Sequence, residues 1–277
     1  MNFDRFVAID WTGARGERHA AIAVAECAAG NGAPSLVRPG HRWSRIEVLD
    51  WVSAQAATRV LIGFDFSFGL PFADADSYFP GDPSPADARA LWAEVDAVAA
   101  ADPHHEAHAY VAHRRNHFWL GSADGPKAAR ARLRTVETHW ATLKRGAPSS
   151  VFALLGAAQC GKASLSGMRL LHRARLPVWP FDALPEHGAA LVEIYCRTFA
   201  ADAGVRGKIR ERSVLDTGLA ALDSAPAAVP EHFADHIGDA LISAAGMRRA
   251  CADGGYWQPT LLTAEIARTE GWTFGVA

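Results

Sequence analysis

Arg59-Val60-Leu61-Ile62-Gly63-Phe64-Asp65-Phe66 is apolar on both faces for most of its length, the pattern of a strand buried inside a sheet between parallel neighbours. Such a strand needs partners on either side. Upstream, Phe6-Val7-Ala8-Ile9-Asp10 is a second apolar run, ended by a turn from Thr12 to Gly16 and followed by Ala20 to Ala25, so the chain opens as a hairpin. A third strand is expected near Ser35 to Trp43, and Ile46, Leu49, Trp51 and Val52 mark a short helix ahead of the buried strand. Strand character returns at Ala190-Leu191-Val192-Glu193-Ile194-Tyr195, and a last helix runs from about Asp235 to Ala250.

The stretch between these elements has a different character. Pro71 begins a turn-rich passage, after which Ser84 as cap and Pro85 at the first helical position predict a helix with Leu91, Trp92, Val95 and Val98 on one face. Leu133, Val136, Trp140 and Leu143 predict another, with Arg130, Arg132 and Arg134 on its remaining surface. The expected organisation is a single α/β domain, its core formed by residues 1 to about 70 and 190 to 277, with a mainly helical insert over about 71–189.

From His113 to Arg175 the chain carries 12 Lys and Arg against two acids, a local +10 that leaves −12 for the rest of a chain whose net charge is −2. The whole is therefore no indiscriminate polycation, whereas the insert could hold a phosphate backbone. Its cations accompany Phe118, Trp119 and Trp140, a mixture that suits a nucleic-acid groove. The expected partner is DNA or RNA, with Arg130, Arg132, Arg134 and Lys162 as phosphate contacts. The plainer alternative is a solvated face.

With 277 residues and 49% hydrophobic content the chain can bury a sizeable core. Cys27, Cys160, Cys196 and Cys251 are widely spaced and form no CxxC pair, which suits reduced thiols. The N-terminus enters a strand without a basic and apolar leader, and no apolar run approaches the roughly 20 residues of a membrane span. A cytoplasmic protein with no membrane association is expected.

An ionised carboxylate in a buried strand is costly unless something cationic compensates. Asp10, Asp65 and Glu193 sit in such strands, and Asp239 lies on the last helix. Carboxylates converging from different strands can hold two divalent ions roughly 3.5–4 Å apart against a phosphodiester. His236, Asp239 and Ser243 share a helix face, and Ala240, Ala244 and Ala245 keep the nearby surface small enough for close approach to a sheet. Taken singly, Asp239 could instead be a first-turn acid favoured by the helix dipole, and Asp65 a turn-forming acid ahead of Gly69-Leu70-Pro71.

The order strand, strand, strand, helix, strand opens a ribonuclease H-like sheet, and six stretches in sequence carry a more specific resemblance. They are Val7-Ala8-Ile9-Asp10; Ile62-Gly63-Phe64-Asp65-Phe66 with Gly69-Leu70-Pro71; Val178-Trp179-Pro180-Phe181-Asp182; Val192-Glu193-Ile194-Tyr195; His236-Ile237-Gly238-Asp239-Ala240-Leu241; and Glu270-Gly271-Trp272. Together they resemble a family of predicted ribonuclease H-like nucleases, distantly related to Holliday-junction resolvases. The resemblance implies a ribonuclease H-like mixed sheet with flanking helices and metal-dependent phosphodiester hydrolysis. It further implies Asp10, Asp65, Glu193 and Asp239 as ligands of Mg2+ or Mn2+, with Asp10 bridging the ions. Where related resolvases often carry an acid three residues before the helix Asp, this chain has His236, a ligand or proton carrier. Where relatives commonly have Pro shortly after the strand Glu, it has Cys196.

Three other motifs compete. Gly156-Ala157-Ala158-Gln159-Cys160-Gly161-Lys162-Ala163 nearly matches a phosphate-cradling loop, with Val151 to Leu155 as a possible preceding strand, but it lacks the final hydroxyl. His104, His105, His108, His113 and His117 are dense, and the last two have helical spacing for zinc, although a solvated polar segment explains them as well. The Asp10-Trp11-Thr12-Gly13 turn is similar to the first phosphate loop of sugar kinases and actin-like ATPases. An ATP-using phosphotransferase and a nucleic-acid-binding protein without catalysis are therefore the alternatives to a nuclease.

Overall fold

The structure, a computed structural model, describes residues 3–143, 147–156 and 159–277. Its centre is a mixed six-stranded sheet. The strands are β1 (Arg5–Asp10), β3 (Ala23–Ala28), β4 (Ser35–Leu36), β6 (Val60–Asp65), β7 (Val178–Trp179) and β8 (Ala190–Glu193), in the spatial order β4-β3-β1-β6-β8-β7. β3 runs antiparallel to both β1 and β4, while β1, β6, β8 and β7 are mutually parallel. The doubly apolar run at Val60–Asp65 thus lies between two parallel neighbours, the position in which both faces of a strand are covered.

Helices cover both faces. On one side lie α1 (Arg45–Ser53), α2 (Ala88–Val98) and α5 (Gly161–Ala174), which bury Val7, Ile9, Ile62, Phe64 and Leu191 of the sheet with Trp92, Leu165 and Met168. On the other lie α6 (Cys196–Asp202), α7 (Arg212–Ala221) and α8 (Asp235–Cys251), which share a core with Phe6, Ala8, Leu61 and Val192. The short helices α3 (His108–His113), α4 (Thr135–Thr142) and α9 (Ala264–Thr269) complete the chain.

Several expectations shift. The second long strand begins at Ala23 rather than Ala20, because the opening turn carries β2 (Arg18–His19), which pairs with β5 (Trp43–Ser44) in a separate ribbon. Only the two ends of the expected Ser35 to Trp43 strand are extended. α2 starts after Asp87, whose carboxylate accepts from Ala90 N–H at 2.8 Å, whereas the Ser84 hydroxyl accepts from Tyr78 N–H. The segment 71–189 supplies β7 to the sheet and α5 to one of its faces, so it is built into the core rather than laid over it. Val151 to Leu154 form a turn with one bridge, Ala153 to Trp119, and not a strand. The loop-like run after it falls partly on residues 157 and 158, outside the described residues, and its Gly161-Lys162 opens α5.

Candidate active site

Asp10 and Asp65 are register partners at the ends of β1 and β6, so their backbones lie about 4.8 Å apart. Alternation along each strand sets their direction. Phe6, Ala8 and Leu61 face the α6–α8 side, and Asp10 and Asp65, an even number of residues further on, share that face. Asp239 reaches them from α8. The helix can approach because Gly63 of β6 leaves room for it: a Cβ there would lie 2.6 Å from Met247 Sδ and 2.7 Å from Ile194 Cγ2. Ala240, Ala244 and Ala245 are fully buried in the same seam.

All three carboxylates are half-buried and raised by the same causes. Burial, then the charges of Asp65 and Asp239, hold Asp10 well above the usual carboxylate range. Burial pushes Asp65 up to about 7, the Cys196 thiol and backbone N–H partly offsetting it. Burial and Asp235 push Asp239 up to about 6, against the attraction of Arg197 and Lys208. Among the described residues no Lys or Arg forms an ion pair with any of the three.

Glu193 has a different environment. It pairs in register with Phe64, not Asp65, so alternation turns it to the opposite face. There it is buried and saturated. Arg134 Nη1 and Nη2 donate to its two oxygens at 2.8 and 2.6 Å, Phe68 N–H donates at 2.6 Å, and the Thr273 hydroxyl at 2.6 Å. The four acceptor sites of a carboxylate are thereby filled, and Glu193 leaves the set of free metal ligands.

The expected phosphate contacts are also redistributed. Arg134 is buried, and besides Glu193 it donates to Glu137 and to the Glu270 carbonyl. Arg132 binds Asp74 and the carbonyls of Pro71, Ser77 and Tyr78, while Arg130 binds the Phe118 carbonyl beside Asp124. These three straps satisfy acceptors inside the insert and are not a phosphate-binding row. Lys162 lies in the first turn of α5, with Gly13 packed on its backbone. The His-rich stretch is pinned by internal contacts: Arg45 holds the His104 carbonyl, Arg173 the His105 ring, and Glu106 pairs with His108.

On α8, His236 is half-buried and its pKa is lowered by burial, with Asp235 the one charge that raises it. Asp235, four residues before Asp239 and so on its face, contributes its charge to both Asp10 and Asp239. It pairs with Lys208, and with Arg210 at 3.4 Å. Arg197 donates to the Gly207 carbonyl at 2.6 Å, fixing this basic loop beside the aspartates. Sequence reasoning overlooked Asp235, Arg197, Lys208 and Arg210. The signals were the i, i+4 spacing of the two acids and the alternating cations of Arg206-Gly207-Lys208-Ile209-Arg210.

A cavity of about 270 Å3 opens next to Asp65 on the side of α4 and α5, with Trp11, Trp140 and Tyr195 in its walls and Arg134, Glu137 and Glu193 among its polar lining. Hard oxygen donors such as the three aspartates suit Mg2+ or Mn2+. As they stand, no three His, Cys, Asp or Glu side chains among the described residues form a closed coordination shell, so binding would have to draw the carboxylates together. Nor does any helix among those residues have the length and apolarity to cross a membrane. Compared with protein-family models, with curated proteins and with solved structures, the chain matches none of them significantly.

Proposed function

We propose that the chain is a metal-dependent phosphodiester hydrolase of the ribonuclease H-like kind, acting on nucleic acid, with Asp10, Asp65 and Asp239 as the ligands of Mg2+ or Mn2+. One observation carries the reading: three half-buried carboxylates from two adjacent strands and one helix share a site in which, among the described residues, no Lys or Arg forms an ion pair with them. Leaving such charge uncompensated opposes folding, and a divalent ion is the compensation their oxygens fit. The sheet order, with an antiparallel β4-β3-β1 half and a parallel β1-β6-β8 half, supports the ribonuclease H-like assignment, β7 being an added edge strand.

A divalent ion, when bound, supplies Lewis-acid neutralisation of charge developing on a phosphodiester. The protein's own part is to hold the carboxylates and guide the substrate. Cys196 steadies Asp65, and Asp235 is held at the rim by Lys208 and Arg210. Arg197, Lys208 and Arg210 then replace the insert arginines as contacts for the flanking phosphates. His236, half-buried and with its pKa lowered by burial, is the proton carrier of this site. Four free cysteines suit a reducing cytoplasm.

The ATP-using alternative has less support. A Cβ on Gly13 would meet Ala163 N at 2.3 Å, so this glycine admits the backbone of α5 and not a phosphate. The test is cleavage of single-stranded, duplex and branched DNA and of RNA with Mg2+ or Mn2+. Wild type should cut at least one, and Asp10→Asn and Asp65→Asn should lose more than ~100-fold, beyond the loss typical of outer-shell changes. Metal-independent cleavage, or full activity in both variants, would overturn the proposal.

A further inference from the structure

The cavity beside Asp65 has more organisation than a packing defect. Trp11 and Trp140 are buried in its walls and Tyr195 is half-buried, with the Trp140 and Tyr195 rings 5.6 Å apart and nearly perpendicular. Ser149 and Pro148 are half-buried and Gln159 is exposed, so the floor is deep and the rim reaches solvent. At about 270 Å3 it lies just below the roughly 300–1,000 Å3 of pockets for drug-sized ligands. It therefore has room for one planar ring system and not for a stretch of polymer.

The floor also carries unused hydrogen-bonding capacity. Arg134 has five N–H donors. Nε goes to Glu137, the two on Nη1 to Glu193 and the Glu270 carbonyl, and one on Nη2 to Glu193. One Nη2 N–H has no acceptor among the described residues. Among the described residues each Glu137 oxygen accepts once, from Arg134 Nε and from Arg134 N–H, which leaves each a second acceptor site. Aromatic walls over a floor that pairs one donor with acceptors match the face and edge of a heterocyclic base.

We infer that this cavity is a nucleobase pocket: it receives the base of the nucleotide whose phosphate lies at Asp10, Asp65 and Asp239. Asp65 belongs both to the cavity wall and to the aspartate cluster, so a base seated there delivers its own sugar-phosphate to the cluster. The substrate is then an unpaired or extruded nucleotide, since a base inside a duplex cannot enter. This inference rests on the hydrolase reading for the phosphate's position, but the pocket is testable without catalysis.

The probes are the four nucleoside 5′-monophosphates, with ribose 5-phosphate as the base-less control, titrated into the full chain by calorimetry and by tryptophan fluorescence, with and without Mn2+. At least one nucleotide should bind about tenfold more tightly than ribose 5-phosphate and change the tryptophan emission. Tyr195→Ala should weaken it about tenfold, and Ser149→Trp, which fills the mouth from a rim position, should abolish it. Ser149→Trp should keep the wild-type melting temperature, Tyr195→Ala should stay folded at a lower one, and both should keep the Mn2+ affinity. Equal affinity for ribose 5-phosphate, or unchanged nucleotide affinity in a folded Ser149→Trp protein, would overturn the pocket. Loss of the hydrolase reading alone would show differently, as base-dependent binding indifferent to Mn2+ and to Asp10→Asn.

Discussion

Two groups of acids lie at the end of the same sheet and have different environments, with Glu193 and Asp65 of neighbouring strands turned to opposite faces. Glu193 and Glu137 surround the buried Arg134, and Glu270 accepts backbone N–H bonds from Phe72, Ala73 and Thr135. Among the described residues Asp10, Asp65 and Asp239 have no ion-paired cation, and burial and neighbouring carboxylates raise them even though Asp10 accepts from Trp11 N–H and Asp65 from the Cys196 thiol and N–H. Burial is common to both groups, so it does not mark a site. What separates Glu193 and Glu137 from the aspartates is a paired cation: Arg134 is bound to both, although burial still raises Glu137, whereas the aspartates have no ion-paired Lys or Arg among the described residues.

That contrast can be broken at its strongest point by removing Arg134. Arg134→Met should destabilise the fold by about 3–5 kcal/mol, because it strands the buried Glu193, as measured by urea denaturation. A loss below about 1 kcal/mol would mean that the two groups do not differ in kind. The aspartates should respond instead to ions. Saturating Mn2+ should stabilise wild type by about 2.7 kcal/mol at a hundredfold excess over Kd, whereas Arg134 and its partners should be indifferent.

A smaller effect carries the sign of the interaction. Asp10, Asp65 and Asp239 have folded-state pKa values raised above those of the unfolded chain, so their ionisation opposes folding. The penalty is absent below the unfolded carboxylate pKa of about 4 and grows as the pH rises through the folded values, about 6 for Asp239, about 7 for Asp65 and well above the usual range for Asp10. Asp10→Asn should therefore be more stable than wild type by about 1 kcal/mol at pH 8, with the advantage vanishing by pH 4. Thermal melts across that range check it, and a variant less stable at pH 8 would contradict it. The smallest effect is at the rim. Lys208→Ala with Arg210→Ala should lower the log-log salt slope of nucleic-acid binding by about 0.7–0.9 per contact, while Arg130→Ala should leave it unchanged.

How much of this is legible in the sequence depends on the range of the interaction. The doubly apolar Val60–Asp65 run announces an interior strand by itself, and an apolar run ending in Asp10 supplies its neighbour. The small residues of α8 announce a close approach. The direction of Glu193 is not legible, because it depends on strand register, and an offset of one residue turns a side chain to the other face. Likewise Arg130, Arg132 and Arg134 look like a basic face in composition, but apart from Glu137, three residues on, Arg134 binds acceptors 59 and 136 positions away, and Arg132 binds acceptors 54 to 61 away. α5 is not legible in the sequence, because Gly161, Ser164, Ser166 and Gly167 are weak helix formers that mask its pattern. Gly167 is required there because a Cβ would lie 2.3 Å from the Phe66 ring. Asp235 is legible by spacing alone, four residues from Asp239 and on its helix face.

The central claim is that Asp10, Asp65 and Asp239 form a site completed by a divalent ion. Calorimetric titration of Mn2+ into wild type and Asp65→Asn, at pH 8 and at pH 5.5, tests it most directly. The account predicts saturable binding by wild type, weaker at pH 5.5 where protons compete for the raised carboxylates, and lost in a folded Asp65→Asn protein. No heat of binding at either pH, or equal affinity in wild type and variant, would contradict it.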